Sequence, residues 1–302
     1  MNYAITLHFL TPYICSITRD QDFVHSPMPL DGALAHAAYW QALATGQMDE
    51  SPTGRKANVD IMTNHVMPVL DEVLERVSLG DSDLLNDTAI TDWVYAISSG
   101  FPMVDGCLYI KRGARWLNPD QDEPLTLDYD VQPIRKRVDI TRLSSLEITR
   151  VSKRGKPRTS EPETGKGVLK AIDNRLITWQ IYEYVWFAAV KDETRLRELL
   201  DVLKFQGGLG KKRTAGFGKL LDYEIETLYV LFPNLQLEKR LFVDWNGDLV
   251  LLRPLPYDAI MLAPRRVVMT NLIVESGCGY RPPYWSDRRV IVREGTIFRF
   301  LS

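Results

Sequence analysis

The run Gln206-Gly-Gly-Leu-Gly-Lys-Lys-Arg-Thr-Ala-Gly-Phe-Gly-Lys219 constrains this chain more than any other stretch. Before it, Asp192–Phe205 carries Leu196, Leu199, Leu200 and Leu203 at helical spacing, with Asp192 suited to an N-cap. Gly207 and Gly208 stop that helix, and Lys219–Glu226 reads as a strand. A helix must therefore pass into a strand through five glycines, Gly207, Gly208, Gly210, Gly216 and Gly218, set around Lys211, Lys212 and Arg213. Glycines let a backbone approach phosphates and expose its N–H groups, and the cations supply charge. A P-loop would need a glycine where Phe205 stands and Ser or Thr where Lys212 stands. A dinucleotide fingerprint begun at Gly208 would need glycine at Arg213, and it runs from strand to helix, the reverse of this order. The competing reading is a surface hairpin with solvated charges.

Charge is segregated elsewhere too. Between Arg135 and Arg175 stand twelve Lys and Arg, among them Arg135, Lys136, Arg137, Arg150, Lys153, Arg154, Lys156, Arg158 and Lys166. Five acids oppose them, so this stretch carries +7 in a chain of net −2, and the remainder carries −9. A basic face on an otherwise acidic protein points to a polyanion partner; a solvated loop is the bland alternative. Within it, Val151–Gly167 is rich in Pro, Gly and charge and is expected to be a mobile loop or an extended hairpin tip.

The remaining pattern is α+β. Ala4–Leu10 alternates as a half-buried strand, Leu30–Ala44 is an Ala- and Leu-rich helix, and Pro68–Val77 a second helix with Pro68 in its first turn. Short strands are expected at Trp93–Ile97, Leu108–Arg112 and Ile134–Thr141, and a longer aromatic one at Ile177–Ala188. Over 302 residues there is no clean linker and no repeat, which gives one domain spanning 1–302. It holds a basic insertion at about 135–175 and a β-rich extension at about 230–302. Tyr182, Tyr184 and Trp186 could present rings to bases, although aromatics on a strand more often pack in a core.

Catalytic patterns are poor. His8 and His36 lie on predicted elements and read as structural; His25, in a loop, is the better general-base candidate, with His36 behind it. No histidine pair has metal-ligand spacing, and the three cysteines fit neither a zinc site nor a disulfide framework. The expectation is a cytoplasmic protein without metal, cofactor or membrane span, and without enzymatic activity.

Phe205-Gln-Gly-Gly-Leu-Gly-Lys-Lys-Arg-Thr-Ala-Gly-Phe-Gly-Lys-Leu220 resembles the glycine-rich loop of the RAMP superfamily of CRISPR-associated proteins. Pro29-Leu-Asp-Gly-Ala-Leu-Ala35 resembles the start of the first helix in some members, and Pro283-Tyr-Trp285 the C-terminal part of type IV members. The resemblance covers about half the chain. It implies a ferredoxin-like (RRM-like) domain whose glycine loop lies between its last helix and last strand. It also implies a thumb-like basic insertion around 150–170. The expected function is that of the crRNA-binding subunit that caps the guide's 5′ handle in type I and type IV effector complexes. Its expected partners are the guide crRNA and the backbone and large subunits, with target DNA contacted indirectly. Some members are metal-independent endoribonucleases that process precursor crRNA, and His25 or His36 would be the base in that alternative. A nucleotide-binding enzyme is disfavoured by the motif order.

Overall fold

The computed structural model describes residues 1–13, 28–46, 60–79, 93–126, 129–135, 148–151, 157–160, 173–210, 218–258, 267–279, 282 and 288–300; between 129 and 179 it does so through the backbone alone. The chain forms two compact units: Met1–Cys15, Val24–Asp128 and Trp179–Ser302 make the larger, Ser16–Phe23 and Tyr129–Thr178 the smaller.

The larger unit is built on five strands: β1 (Asn2–Phe9), β2 (Phe101–Val104), β3 (Cys107–Leu108), β4 (Glu183–Ala189) and β5 (Leu220–Thr227). Their order in the sheet is β5-β1-β4-β2-β3, and each pairing is antiparallel. Helix α1 (Asp31–Ala44) follows β1; α2 (Met67–Val73) continues a π-helical turn at Met62–Val66; α3 (Glu193–Phe205) joins β4 to β5. Strand periodicity sends alternate residues to opposite faces. Ile5, Leu7 and Phe9 of β1 and Tyr184 and Trp186 of β4 share one core with Leu34, Ala37 and Ala38 of α1 and Leu196, Leu199, Leu200 and Leu203 of α3. The other parity, Ala4, Val185 and Phe187, packs with Phe101, Trp116, Val243, Val250 and Ile297. The central sheet is thus packed on both faces around Ala4, Val185 and Phe187, while its β5 edge leaves Asp222, Glu224 and Glu226 exposed.

The covering layer on the second face is the C-terminal β region. Strands β6 (Gln236–Glu238), β7 (Phe242–Trp245), β8 (Asp248–Leu251), β9 (Val267–Thr270) and β10 (Ile297–Phe300) form a sheet ordered β6-β7-β8-β10-β9, after a single helical turn, α4 (Leu228–Leu231). A three-stranded sheet of Leu255–Pro256, Arg288–Val292 and Val274–Gly279 adjoins a third core around Leu241, Phe242, Leu251 and Ile291.

Buried ion pairs tie this layer to the rest. Helix α1 has no side-chain N-cap; instead the buried Asp31 accepts from Gly32 N at 2.8 Å and from Arg253 Nη2 at 3.3 Å. The fully buried Arg253 also donates to the carbonyls of Tyr95 and Ile97. Lys111 and Glu294 form a second buried pair at 3.5 Å. Asp248 lies 2.6 Å from Arg112 and 2.5 Å from Arg299, and the Arg299 hydrogen bond holds its carboxyl below the usual carboxylate range.

The fold is a mixture of helices and antiparallel sheets, as the α+β reading requires. Several expected boundaries differ: Leu108–Arg112 is two strands, Cys107–Leu108 and Ile110–Arg112, the strand expected from Ile134 begins at Tyr129, and two further elements change more. The helix expected at 68–77 stops at Val73 because sheet bonding takes over: Leu74 bridges Val190, Glu75 N donates to Ala189 O at 3.0 Å, and Arg76–Ser78 pairs with Trp93–Tyr95. The strand expected at 177–188 is two strands, Asp173–Trp179 and β4, separated at Gln180–Tyr182. Ile181 is buried at that break and Tyr182 O accepts from Phe9 N at 2.7 Å, so hydrophobicity alone does not reveal it. In the smaller unit, Ile148–Val151 pairs antiparallel with Pro157–Ser160, and Tyr129–Arg135 neighbours Asp173–Trp179.

Candidate nucleic-acid interface

The glycine loop leaves α3 as the sequence predicts. Asp192 accepts from Arg195 N at 2.9 Å, capping α3, and the four leucines are buried. After Phe205 the backbone turns through Gly207, Gly208 and Gly210 at φ +84°, +121° and +87°, and returns through Gly218 at +65°. Two of these glycines are required by contact as well as by conformation. A Cβ on Gly208 would lie 1.9 Å from Gly218 O, and one on Gly218 would lie 2.0 Å from Leu209 O. The two stems of the loop therefore touch backbone to backbone, where no side chain fits.

Hydrogen bonds close this contact into a clamp. Leu209 N donates to Gly218 O at 2.9 Å, and Gly218 N to Pro12 O at 3.0 Å. Lys219 N donates to Thr11 Oγ1 at 3.0 Å, and Leu10 N to Lys219 O at 2.8 Å. Leu209 is buried with the α3 leucines. The flanking elements are pinned too: Lys204 Nζ reaches Asp222 Oδ1 at 3.0 Å and Tyr223 Oη donates to Asp201 Oδ1 at 2.8 Å. The Lys204 hydrogen bond lowers the Asp222 carboxyl pKa. Burial, then the Asp201 hydrogen bond, pushes the Tyr223 phenol up to about 12.

The expectation that this loop exposes its amides needs correction at the stems. The N–H groups of Leu209, Gly218 and Lys219 are already donated within the protein. What the stem glycines supply is a tight, fixed exit for the segment between them. Among the expected contact residues, Gly208, Gly210 and Gly218 come together here. Lys211, Lys212, Arg213 and Gly216 lie outside the described residues. So do Lys136, Arg137, Lys153, Arg154, Lys156, Lys166 and His25. Arg135 ends the strand Tyr129–Arg135, and Arg150 stands directly opposite Arg158 in the hairpin register. Thr11 and Pro12, which complete the clamp, carry no signal in the sequence, being some two hundred residues from the glycines.

The remaining candidates sort clearly. His36, on α1, accepts from Trp40 Nε1 at its Nε2 (3.1 Å). His8 Nδ1 lies 3.1 Å from Glu183 and its Nε2 3.6 Å from Glu224, on neighbouring strands. Tyr184 and Trp186 are buried under the helices, and Phe187 under the C-terminal layer. The β4 aromatics are core residues, whereas Tyr182, just before β4, is exposed, and the second face of the sheet is open to solvent at Glu183, Asp222 and Glu224. No helix among the described residues is long and apolar enough to cross a membrane.

No family model matches the sequence, and no curated protein matches it. Solved structures do overlap with it. One is a chain from the Csm3-Csm4 subcomplex in the type III-A CRISPR-Cas interference complex, with a TM-score of 0.45 and 12% identity over 99% of this chain and 93% of that one. Another is a chain from the type III-B Cmr-beta complex bound to cognate target RNA and AMPPnP, with a TM-score of 0.41 and 8% identity over 99% of this chain and 86% of that one. Both neighbours are subunits of type III CRISPR complexes. At this level of overlap nothing about function is carried across.

Proposed function

We propose that this protein is a non-catalytic, crRNA-binding subunit of a cytoplasmic CRISPR ribonucleoprotein complex, holding the 5′ handle of the guide as in type IV systems. In this reading it contacts the backbone and large subunits directly and target DNA only through the guide. The observation that carries the proposal is the clamped glycine loop between α3 and β5, between whose stems the sequence carries Lys211, Lys212 and Arg213. The order β5-β1-β4-β2, with α1 after β1 and α3 between β4 and β5, supports a ferredoxin-like domain with this loop before its last strand. Charge supports the same reading. The hairpin register sets Arg150 opposite Arg158, a like-charge cross-strand position that is unfavourable in water and that a polyanion relieves. Occupation of His36 Nε2 by the Trp40 indole fits a subunit that does not process RNA.

The test is to purify the complex through this subunit and sequence the nucleic acid it holds. A short RNA population sharing one defined 5′ end is the expected result; DNA, or RNA of random ends, overturns the reading. Incubating the protein with labelled precursor RNA should leave that RNA intact. Cleavage lost in His25→Ala or His36→Ala would instead establish a processing endoribonuclease.

A further inference from the structure

Next to the glycine loop, α1 and α3 leave a largely apolar groove of about 630 Å³ that includes Trp40, Ala44, Val202 and Phe205, with His36 and Gln206 at its walls. Phe205 is 93% exposed and Trp40 is 44% exposed. Together with Ala44 and Val202 they make a contiguous exposed apolar patch, the kind that marks an interaction site where single exposed side chains do not. The Trp40 N–H is already donated to His36 Nε2, so its exposure serves the ring and not a hydrogen bond.

We infer that this groove is a stacking site for one unpaired nucleobase of a single-stranded RNA, held against Trp40 and Phe205. The inference rests on the RNA-binding reading above and adds the point at which a base, as distinct from the phosphate backbone, is gripped. One observation favours a base over an apolar protein side chain. The groove is continuous with the loop: Phe205 ends α3 and Gln206 and Gly207 begin the turn into the glycine run. A phosphate held by the cations that follow within a few residues would bring its own base close by.

The test uses the full chain and a fluorescently labelled ten-nucleotide oligoadenylate, with an abasic ribose-phosphate oligomer of equal length as the second probe. Phe205→Ala and Trp40→Ala should each weaken oligoadenylate binding about 5- to 100-fold, the range of one aromatic stacking contact. Neither should change binding of the abasic oligomer or the melting temperature, since Phe205 is solvent-exposed and Trp40 nearly half so. If wild type binds oligoadenylate tightly and both aromatic variants bind it equally well, the stacking site is refuted while RNA binding stands. Equal losses for both oligomers also refute it, because a base contact cannot affect an abasic chain. If the variants bind RNA normally but no longer co-purify with neighbouring subunits, the groove is a protein interface and the inference fails. If wild type binds neither oligomer, with partner subunits present, the RNA-binding reading falls as well.

Discussion

Alanine substitutions in the glycine loop separate backbone strain from backbone contact. At Gly207, φ is +84° and an added methyl group would find nothing within 4 Å. Gly207→Ala therefore costs only the conformational penalty of an L-residue in the left-handed region, about 1–2 kcal/mol. Gly218→Ala carries the same penalty at φ +65°, but its Cβ also meets Leu209 O at 2.0 Å. That atom is backbone, so the two stems must part. Parting them opens the bonds from Leu209 N to Gly218 O and from Gly218 N to Pro12 O, each contributing about 0.5–1.5 kcal/mol. The sum is about 2–5 kcal/mol for Gly218→Ala. Gly208→Ala should be at least as costly, with φ at +121° and its Cβ 1.9 Å from Gly218 O. Urea unfolding at constant m-value measures the differences, and hydrogen exchange at the Leu209 amide reports the clamp itself. Protection at Leu209 should fall in Gly218→Ala and persist in Gly207→Ala. If Gly218→Ala is no less stable than Gly207→Ala, or keeps Leu209 protected, the stems are not in the contact described.

Arg253→Met should cost about 3–5 kcal/mol, because it strands the buried Asp31 carboxylate; adding Asp31→Asn should recover part of the loss in chemical denaturation, since an amide oxygen can still accept from Gly32 N. Asp248 is held below the usual carboxylate range, so its contribution is present above the ordinary carboxylate pKa and is lost as pH falls through the lowered folded value. Asp248→Asn should accordingly flatten the acid limb of a stability-pH curve; an unchanged limb would contradict the Arg299–Asp248–Arg112 arrangement. Replacing Lys211, Lys212 and Arg213 together by Ala should leave the melting temperature unchanged while weakening RNA retention more than any single change does.

Features with local causes are legible in the sequence. Asp192 is a cap whose partner is three residues away, the α3 leucines repeat at helical spacing, and two glycines end the helix, so α3 and its exit, residues 192–210, read directly, as does the β5 strand that follows. The α1 start is visible as Pro29-Leu-Asp-Gly, but the burial of its Asp31 depends on Arg253, and no spacing rule connects residues that far apart. The same holds for the Thr11 and Pro12 half of the clamp. Covering of the sheet's second face is hidden for a related reason. It is assembled from short strands around 242–251 and 297–300, whose individual patterns are too brief to assign a face. The end of α2 and the break at Gln180–Tyr182 escape a sequence reading because apolar content continues through both, and only sheet hydrogen bonding decides where those elements end.

The central claim is that the basic loop grips an RNA backbone, and the salt dependence of guide-RNA affinity tests it most directly. Wild type, assembled with its partner subunits, should lose affinity steeply as salt rises, because each neutralised phosphate releases counterions. The Lys211, Lys212 and Arg213 triple variant should show a slope in log K against log salt that is shallower by about 2, the value for three contacts on a single strand at roughly 0.7 each. A flat slope for wild type, or an identical slope for the folded triple variant, would contradict the account.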